Sequence, residues 1–285
     1  MSSNGSELGL PVGSEFTPLG MLALVDRKLR RWHPRSLLRF ALFLGSTVYY
    51  LLLYLSSTPR VERTVARVTR FARQWARLSL RWCGIQVEVR GTPPQKGVLL
   101  VANHRSYIDA PALLQDTDCS FLAKAELKRW PLLGFAARMG HVLFVSRDDK
   151  QSRRAARQAI KQRLQEGFSI MVFPEGTTFA GPGILPFKMG MFKTATEADI
   201  PVCPVAIDYR YRHHAWVGED TFLGHFLRTF SEKTIQVTVH YGSALRHRDP
   251  ETLRDMATAW IEGHLDGLRD FSPTQSSAGK TRRAS

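Results

Sequence analysis

The sequence predicts an α/β domain with a largely parallel central sheet flanked by helices, preceded by an N-terminal membrane-associated helical element. Three observations carry this. From Cys83 onward, short runs rich in Val, Ile, Leu and Phe alternate with helix-like segments, the pattern of strands joined by crossover helices. Phe40 to Pro59 holds no charged residue. The basic excess of the chain gathers around that run: Arg27 to Arg81 carries 13 Lys and Arg against the single acid Glu62.

The chain divides accordingly. Residues 1–25 are small, polar and Gly/Pro-containing, and are expected to be disordered; they lack the basic start of a secretory signal. Residues 26–82 are expected to form the anchoring and interfacial helices, 83–270 the α/β domain, and 271–285 a disordered basic tail. The apolar core of FALFLGSTVYYLLLYLSSTP is just long enough to cross a bilayer, which takes about 20 residues. Tyr49, Tyr50 and Tyr54 suit the membrane–water interface. Basic residues flank both ends about equally, so charge assigns no orientation, and a single span and a re-entrant anchor both stay open. Beyond the run, Arg60, Arg63, Arg67, Arg70, Arg73, Arg77 and Arg81 recur every three or four residues. On a helix they form one cationic stripe, suited to lying among anionic lipid headgroups. The alternative is an ordinary solvated helix face.

The net charge of +15 and pI near 10.2 call for an anionic partner. Because the excess lies beside an apolar run, and not across a folded face with interleaved aromatics, that partner reads as an anionic membrane surface and not nucleic acid. The three cysteines, Cys83, Cys119 and Cys203, have no C-x-x-C spacing and give no basis for zinc or redox chemistry. Cys119 and Cys203 are expected to pack as small hydrophobes.

Strands are expected at Ile85–Arg90, Gly97–Ala102, Ser120–Ala123, His141–Val145, Ser169–Phe173, Val202–Tyr209 and Ile235–His240. Helices are expected at Asp149–Glu166, Lys188–Ala198 and Pro250–Leu268. In such sheets ligands bind at the carboxyl ends of the strands. Three polar clusters sit there: Asn103-His104-Arg105-Ser106-Tyr107-Ile108-Asp109, Ser146-Arg147, and Pro174-Glu175-Gly176-Thr177-Thr178.

His104 and Asp109 are candidates for a base and its partner. Five residues apart, they would lie about 140° apart on a regular helix, so His104 must sit in the turn before a helix that starts near Asp109. Pro111 fits the first turn of that helix. A neutral imidazole can take the proton of a weakly nucleophilic hydroxyl, and a carboxylate on its other nitrogen fixes the tautomer. The alternative is a helix cap, with Ser106 and Asp109 as a capping box. Glu175 can accept hydrogen bonds from acceptor hydroxyls or orient its loop, and Gly176 lets backbone come close to a ligand. Arg147 can clamp an anion or pair with Asp148 or Asp149. Lys188 is expected to open a helix, where a bound anion would offset its opposition to the helix dipole.

Taken in order, N-H-R-S-Y-I-D, G-H-V-L-F-V-S-R, F-P-E-G-T and I-P-V-C-P-V-A-I resemble the lysophospholipid acyltransferase family, which includes the 1-acylglycerol-3-phosphate acyltransferases. The resemblance covers roughly Trp82 to Gly242. It implies His104 as general base with Asp109 as its partner. It implies that Arg147, Glu175, Gly176 and Thr177 bind the acceptor's polar head, with Lys188 able to assist, and that Ile200–Ile207 lines the acyl or acceptor site. It further implies direct attack of a lysolipid hydroxyl on acyl-CoA or acyl carrier protein, with no acyl-enzyme, metal or cofactor, in a domain on the cytoplasmic side of a membrane. One departure stands out: phosphatidate-forming members carry Arg after E-G-T, and this chain carries Thr178. The acceptor pattern resembles members acting on lysophosphatidylethanolamine-type or lyso-ornithine lipids. Two rivals remain. A CoA-independent transacylase could use the same site, whereas a serine hydrolase is disfavoured because G-x-S-x-G is absent. A non-catalytic basic membrane-tethered binding protein is the other.

Overall fold

A computed structural model describes residues 33–57, 59, 64–95 and 97–267. The disorder expected of 1–25 and 271–285 lies outside them, as do Arg60 and Arg63. The elements run in chain order α1 (Pro34–Ser57), α2 (Val65–Cys83), β1 (Ile85–Arg90), β2 (Leu99–Ala102), α3 (Asp109–Leu114), β3 (Cys119–Lys124), α4 (Leu133–Met139), β4 (Leu143–Val145), α5 (Lys150–Gln165), β5 (Ser169–Val172), α6 (Gly190–Glu197), β6 (Val202–Tyr209), α7 (Phe222–Thr229), β7 (Ile235–Tyr241) and α8 (Pro250–Glu262).

The seven strands form one sheet in the order β1-β7-β6-β2-β5-β3-β4. From β6 to β4 all pairings are parallel. β7 runs antiparallel to β6, and β1 runs parallel to β7. The five parallel strands therefore end on one common edge, which carries the three polar clusters. Central strands covered on both faces need continuous apolar sequence, and every residue of β2, β5 and β6 is buried.

Each sheet face carries its own core. On one, Leu100, Met171 and Ile207 pack with Ala76 and Leu80 of α2, Leu113 of α3 and Phe226 of α7. On the other, Leu99, Ile170 and Val202 meet Ile160 and Leu164 of α5, Phe192 of α6 and Leu253 and Ile261 of α8. The helices on this second face show why they pack there. Ala156, Ile160 and Leu164 of α5, and Leu253, Ala257 and Ile261 of α8, recur every four residues and so line one side of each helix. Asp149 and Asp249 cap these helices by accepting the N–H groups of Gln151 and Thr252.

Two expected helices start or stop elsewhere. The segment expected to be helical from Lys188 begins at Gly190, so Lys188 precedes the helix. The last helix ends at Glu262 with Gly263 as its cap, six residues before the expected Leu268. Neither α4 nor α7 was expected; at 7 and 8 residues they are too short to show a helical period.

The amino-terminal helices do not stand apart from the domain. α1 is, among the described residues, the one helix long and apolar enough to cross a membrane. It packs against α2 and α7. Ser46 Oγ lies 3.0 Å from Ser79 Oγ, and Trp75 donates to Thr47 Oγ1 at 3.1 Å. The start of α1 is clamped by Arg39, which is 8% exposed and donates to the carbonyls of Phe230, Glu232 and Lys233. The guanidinium passes over Gly84, where any Cβ would lie 1.9 Å from it, and Gly84 also ends α2 at φ 72°. Only glycine satisfies both demands.

Part of the arginine stripe of α2 is turned onto the domain itself. Arg73 pairs with Asp118 at 3.2 Å and donates to the Asp116 carbonyl, and Arg77 donates to the Gln115 carbonyl at 2.8 Å. These arginines fasten α2 to the loop between α3 and β3, whose acids sequence proximity could not assign to them. Arg70 and Arg81 stay exposed.

His225 of α7 is fully buried. Its Nε2 lies 3.1 Å from the Ala215 carbonyl and must carry the hydrogen, so Nδ1 accepts from Tyr107 Oη at 3.1 Å. Burial, chiefly, brings its pKa down to about 4. The unfolded chain takes up this proton near pH 6.5, so the associated stability is complete above that and is lost as pH falls towards 4. Denaturant midpoints measured between pH 7.5 and 4.5 should fall more steeply for wild type than for His225→Leu; equal slopes would rule this account out.

Candidate active site

The carboxyl edge of β2, β4, β5 and β6 brings the predicted residues together. β2 ends into Asn103, whose side-chain amide donates to the Ile207 carbonyl and accepts the Ile207 N–H, both at 2.8 Å. This buried stitch to β6 fixes the backbone from which His104 emerges. Asp109 begins α3, as the spacing required, with Pro111 in the first turn.

Asp109 is wholly buried. Its Oδ2 lies 2.8 Å from His104 Nδ1 and accepts the N–H groups of Arg105 at 2.7 Å and Ser106 at 2.9 Å. Its Oδ1 accepts from Tyr209 Oη at 2.5 Å. With donors against both oxygens, this side chain serves as an acceptor only. His104 Nδ1 then carries a hydrogen, and Nε2 holds the free lone pair. Nε2 makes no hydrogen bond among the described residues, and the ring stacks on Phe173 at 4.0 Å between centroids. The capping alternative is realised in part, since Asp109 does take the Ser106 N–H. The two readings coexist because one oxygen serves both partners.

Glu175 lies beneath this pair, 5% exposed. One oxygen accepts the His104 N–H at 2.7 Å and the other the Leu185 N–H at 2.9 Å. Burial raises its carboxyl above the usual range, and those two N–H groups oppose the rise. With both oxygens engaged, this side chain orients two loops and does not point at a ligand. Gly176 follows at φ 78°, and a Cβ there would lie 2.4 Å from Lys188 Nζ. The close approach expected at this glycine is thus made by Lys188. Arg147, at the end of β4, donates to the Gly176 carbonyl and does not pair with Asp148 or Asp149. Thr177 is exposed at the cavity wall. Thr178 donates to the Trp216 carbonyl, tying the turn to the loop after β6.

His104, Arg147, Gly176, Thr177, Thr178 and Lys188 border one cavity of about 1340 Å³. Its apolar lining includes Phe43 and Leu51 of α1 and Phe71 and Trp75 of α2, from one sheet face; its cationic lining includes Arg153 and Arg157 of α5, from the other face, with Arg147 and Lys188; His104 lines it from the strand edge. Ile200–Ile207 was expected to line a ligand site. Instead Val202 to Ile207 is buried within the sheet, outside the cavity lining, with Ile207 bonded to the Asn103 amide.

Two residues that sequence reasoning did not single out hold the site together. Tyr209 lies 100 positions from Asp109 and shows no local signal beyond ending a strand. Arg105, 1% exposed, donates to the carbonyls of Phe179, Gly181 and Gly183 and lies 3.6 Å from Asp208. It shapes the loop leading from Thr178 towards Leu185. Among the described residues the one cluster with metal-ligand geometry is His213, His214 and Glu232. Burial opposes ionisation of Glu232, but hydrogen bonds from the two imidazoles outweigh it and bring its carboxyl down to about 2. The cluster is a hydrogen-bonded bracket, and the backbone carbonyl of its Glu232 accepts from Arg39.

The fold and site together define an α/β enzyme with a histidine–carboxylate pair at the carboxyl edge of its parallel strands, facing a long, largely apolar cavity. Comparison with known proteins makes the class specific. A model of the family described as Acyltransferase matches residues 85–208. The chain is 34% identical to the lyso-ornithine lipid O-acyltransferase of Pseudomonas aeruginosa, over 68% of this chain and 78% of that one. It is 36% identical to the 1-acyl-sn-glycerol-3-phosphate acyltransferase of Neisseria gonorrhoeae, over 44% of this chain and 50% of that one. The fold matches the crystal structure of the 1-acyl-sn-glycerophosphate acyltransferase PlsC from Thermotoga maritima, with TM-score 0.64 and 23% identity over 83% of this chain and 95% of that one. The chain belongs to this acyltransferase family and is an acyltransferase.

Replacing Tyr209 by Phe keeps the ring and leaves Asp109 Oδ1 buried without its donor. The variant should lose about 1–3 kcal/mol of unfolding free energy, read by urea denaturation; an unchanged midpoint would mean the hydroxyl is unimportant. Asp109→Asn should lower kcat by about 10²–10⁴-fold with KM within a few-fold, because the amide no longer fixes the imidazole tautomer. A loss confined to KM would remove Asp109 from the chemistry.

Proposed function

We propose that this enzyme moves a fatty acyl chain from a thioester donor, acyl-CoA or acyl carrier protein, to the free hydroxyl of a lysolipid. The observation that carries this reading is the His104–Asp109 pair, with Nε2 open to a cavity that is apolar on one side and cationic on the other. The apolar end takes acyl chains, and the cationic end takes the anionic groups of acceptor or donor. His104 Nε2 removes the hydroxyl proton as the oxygen attacks the thioester carbonyl. The new C–O bond forms, the C–S bond breaks, and the proton passes from the imidazolium to the departing thiolate. Arg147 and Lys188, converging on Gly176, and the nearby Thr177 position the polar head, while Glu175 acts one step back by holding the backbone of His104.

The preferred acceptor is an amino-acid lysolipid of the lyso-ornithine type. The Pseudomonas relative with that name is matched over most of its length. Thr178, at the position where phosphatidate-forming members carry Arg, turns its hydroxyl onto a backbone carbonyl and offers no charge. The ornithine carboxylate suits the cations that remain.

The anchor reads as monotopic. α1 is fastened at its start by Arg39 and packed along its length on α2 and α7. A perpendicular crossing would carry those helices into the bilayer with it, so α1 lies partly sunk in one leaflet with its exposed Leu38, Tyr49 and Leu52 outward. With a thioester donor from metabolism, the site faces the cytoplasm.

Membranes carrying wild-type or His104→Ala protein, given labelled acyl-CoA or acyl carrier protein with a lysolipid panel, test the reaction and the acceptor together. Transfer should be fastest to lyso-ornithine lipid and fall by about 10²–10⁴-fold in the variant. Preference for 1-acylglycerol-3-phosphate would overturn the acceptor. No His104-dependent transfer from either donor would overturn the reaction.

A further inference from the structure

α5 has an unusual surface. Lys150, Arg153, Arg154, Arg157, Lys161 and Arg163 lie on this 16-residue helix, which contains no acid. Five of them stand at i, i+4 spacings that bring like charges together: 150 with 154, 153 with 157, and 157 with 161. Such pairs destabilise a helix in isolation. The flanking carboxylates do not neutralise them. Asp149 caps the helix, Glu126 pairs with Lys124, and among the described residues no carboxylate lies within ion-pair distance of Arg153, Arg154 or Arg157.

The position of α5 says what this charge meets. Its apolar side packs on the sheet face opposite to α1 and α2, so the stripe faces away from the helices that hold the membrane. Its first turns border the cationic end of the cavity, where Lys150, Arg153 and Arg157 join Arg147 and Lys188. Arg154 is exposed outside that mouth, and Lys161 lies outside it as well. From Lys150 to Lys161 the stripe runs about 17 Å along the helix axis. The phosphates of a coenzyme threading its thioester inward would use the cations at the mouth and leave the outer ones idle. A protein surface would use both.

We propose that α5 is the docking surface for an acidic carrier protein that presents the acyl chain as a thioester on a flexible arm. The protein settles on Arg153, Arg154, Arg157 and Lys161, and the arm enters past Arg147 to bring the carbonyl to His104. This rests on the acyl-transfer reading above and selects its donor. Charge of this kind accelerates encounter and is screened by salt.

The test compares two donors of identical chain length, acyl carrier protein and acyl-CoA, with the full chain in lipid nanodiscs. Arg154→Glu combined with Lys161→Glu alters the outer stripe and leaves the cavity residues in place; Arg154→Lys with Lys161→Arg keeps the charge. The reversal should raise KM for the carrier-protein donor tenfold or more, with kcat and the KM for acyl-CoA within twofold. The charge-conserving pair should behave as wild type, and wild-type KM for the carrier-protein donor should climb steeply between 50 and 300 mM salt. Equal effects on both donors, or none on the carrier protein, would overturn the docking surface. So would a wild type that uses acyl-CoA alone, which leaves the acyl-transfer reading standing. Only loss of transfer from both donors would take that reading down as well.

Discussion

A carboxylate with no exposure to solvent has to be met by donors on both oxygens, and Asp109 is met by four. Much of the site's architecture follows from supplying them. The Arg105 and Ser106 N–H groups converge only if the chain turns sharply between β2 and α3, and that turn places His104 at its rim. The Tyr209 hydroxyl reaches Oδ1 only because β6 lies next to β2, a neighbourhood locked by the Asn103 amide. A buried charge is costly unless it is paired and hydrogen-bonded. Here its partners come from the backbone, a neighbouring strand and the imidazole, and the same bonds orient that imidazole.

Around this pair the site is built as a joint between layers. Glu175, from the end of β5, joins the His104 backbone to the loop at Leu185. Arg105 holds the start of that loop by three carbonyls. Arg147 crosses from β4 to Gly176. Each link joins strand ends or their loops along the shared edge, so residues far apart in sequence behave as one unit.

The amino-terminal helices serve two purposes at once. Their apolar inner surface forms part of the wall of the cavity that His104 also lines, and their outer surface carries the exposed apolar side chains of α1. Arg39, Arg73 and Arg77 join them to the domain through carbonyls and acids of distant loops.

The sequence by itself determined the strand–helix order, the apolar helix, and the loops that reach the reactive edge, because hydrophobic period and turn residues are local properties. It also placed His104 before a helix beginning at Asp109, since five residues allow the pair to meet in few other ways. It could not determine which groups complete the site. Tyr209 and Arg105 act across strand neighbours, and Glu175 turned inward where a surface role was equally legible. The stripe of α2 looked uncompensated because Asp116 and Asp118 lie some forty residues on. Lateral order in the sheet decided these matters: a strand's neighbours are chosen by packing across the whole chain, and no local pattern encodes them.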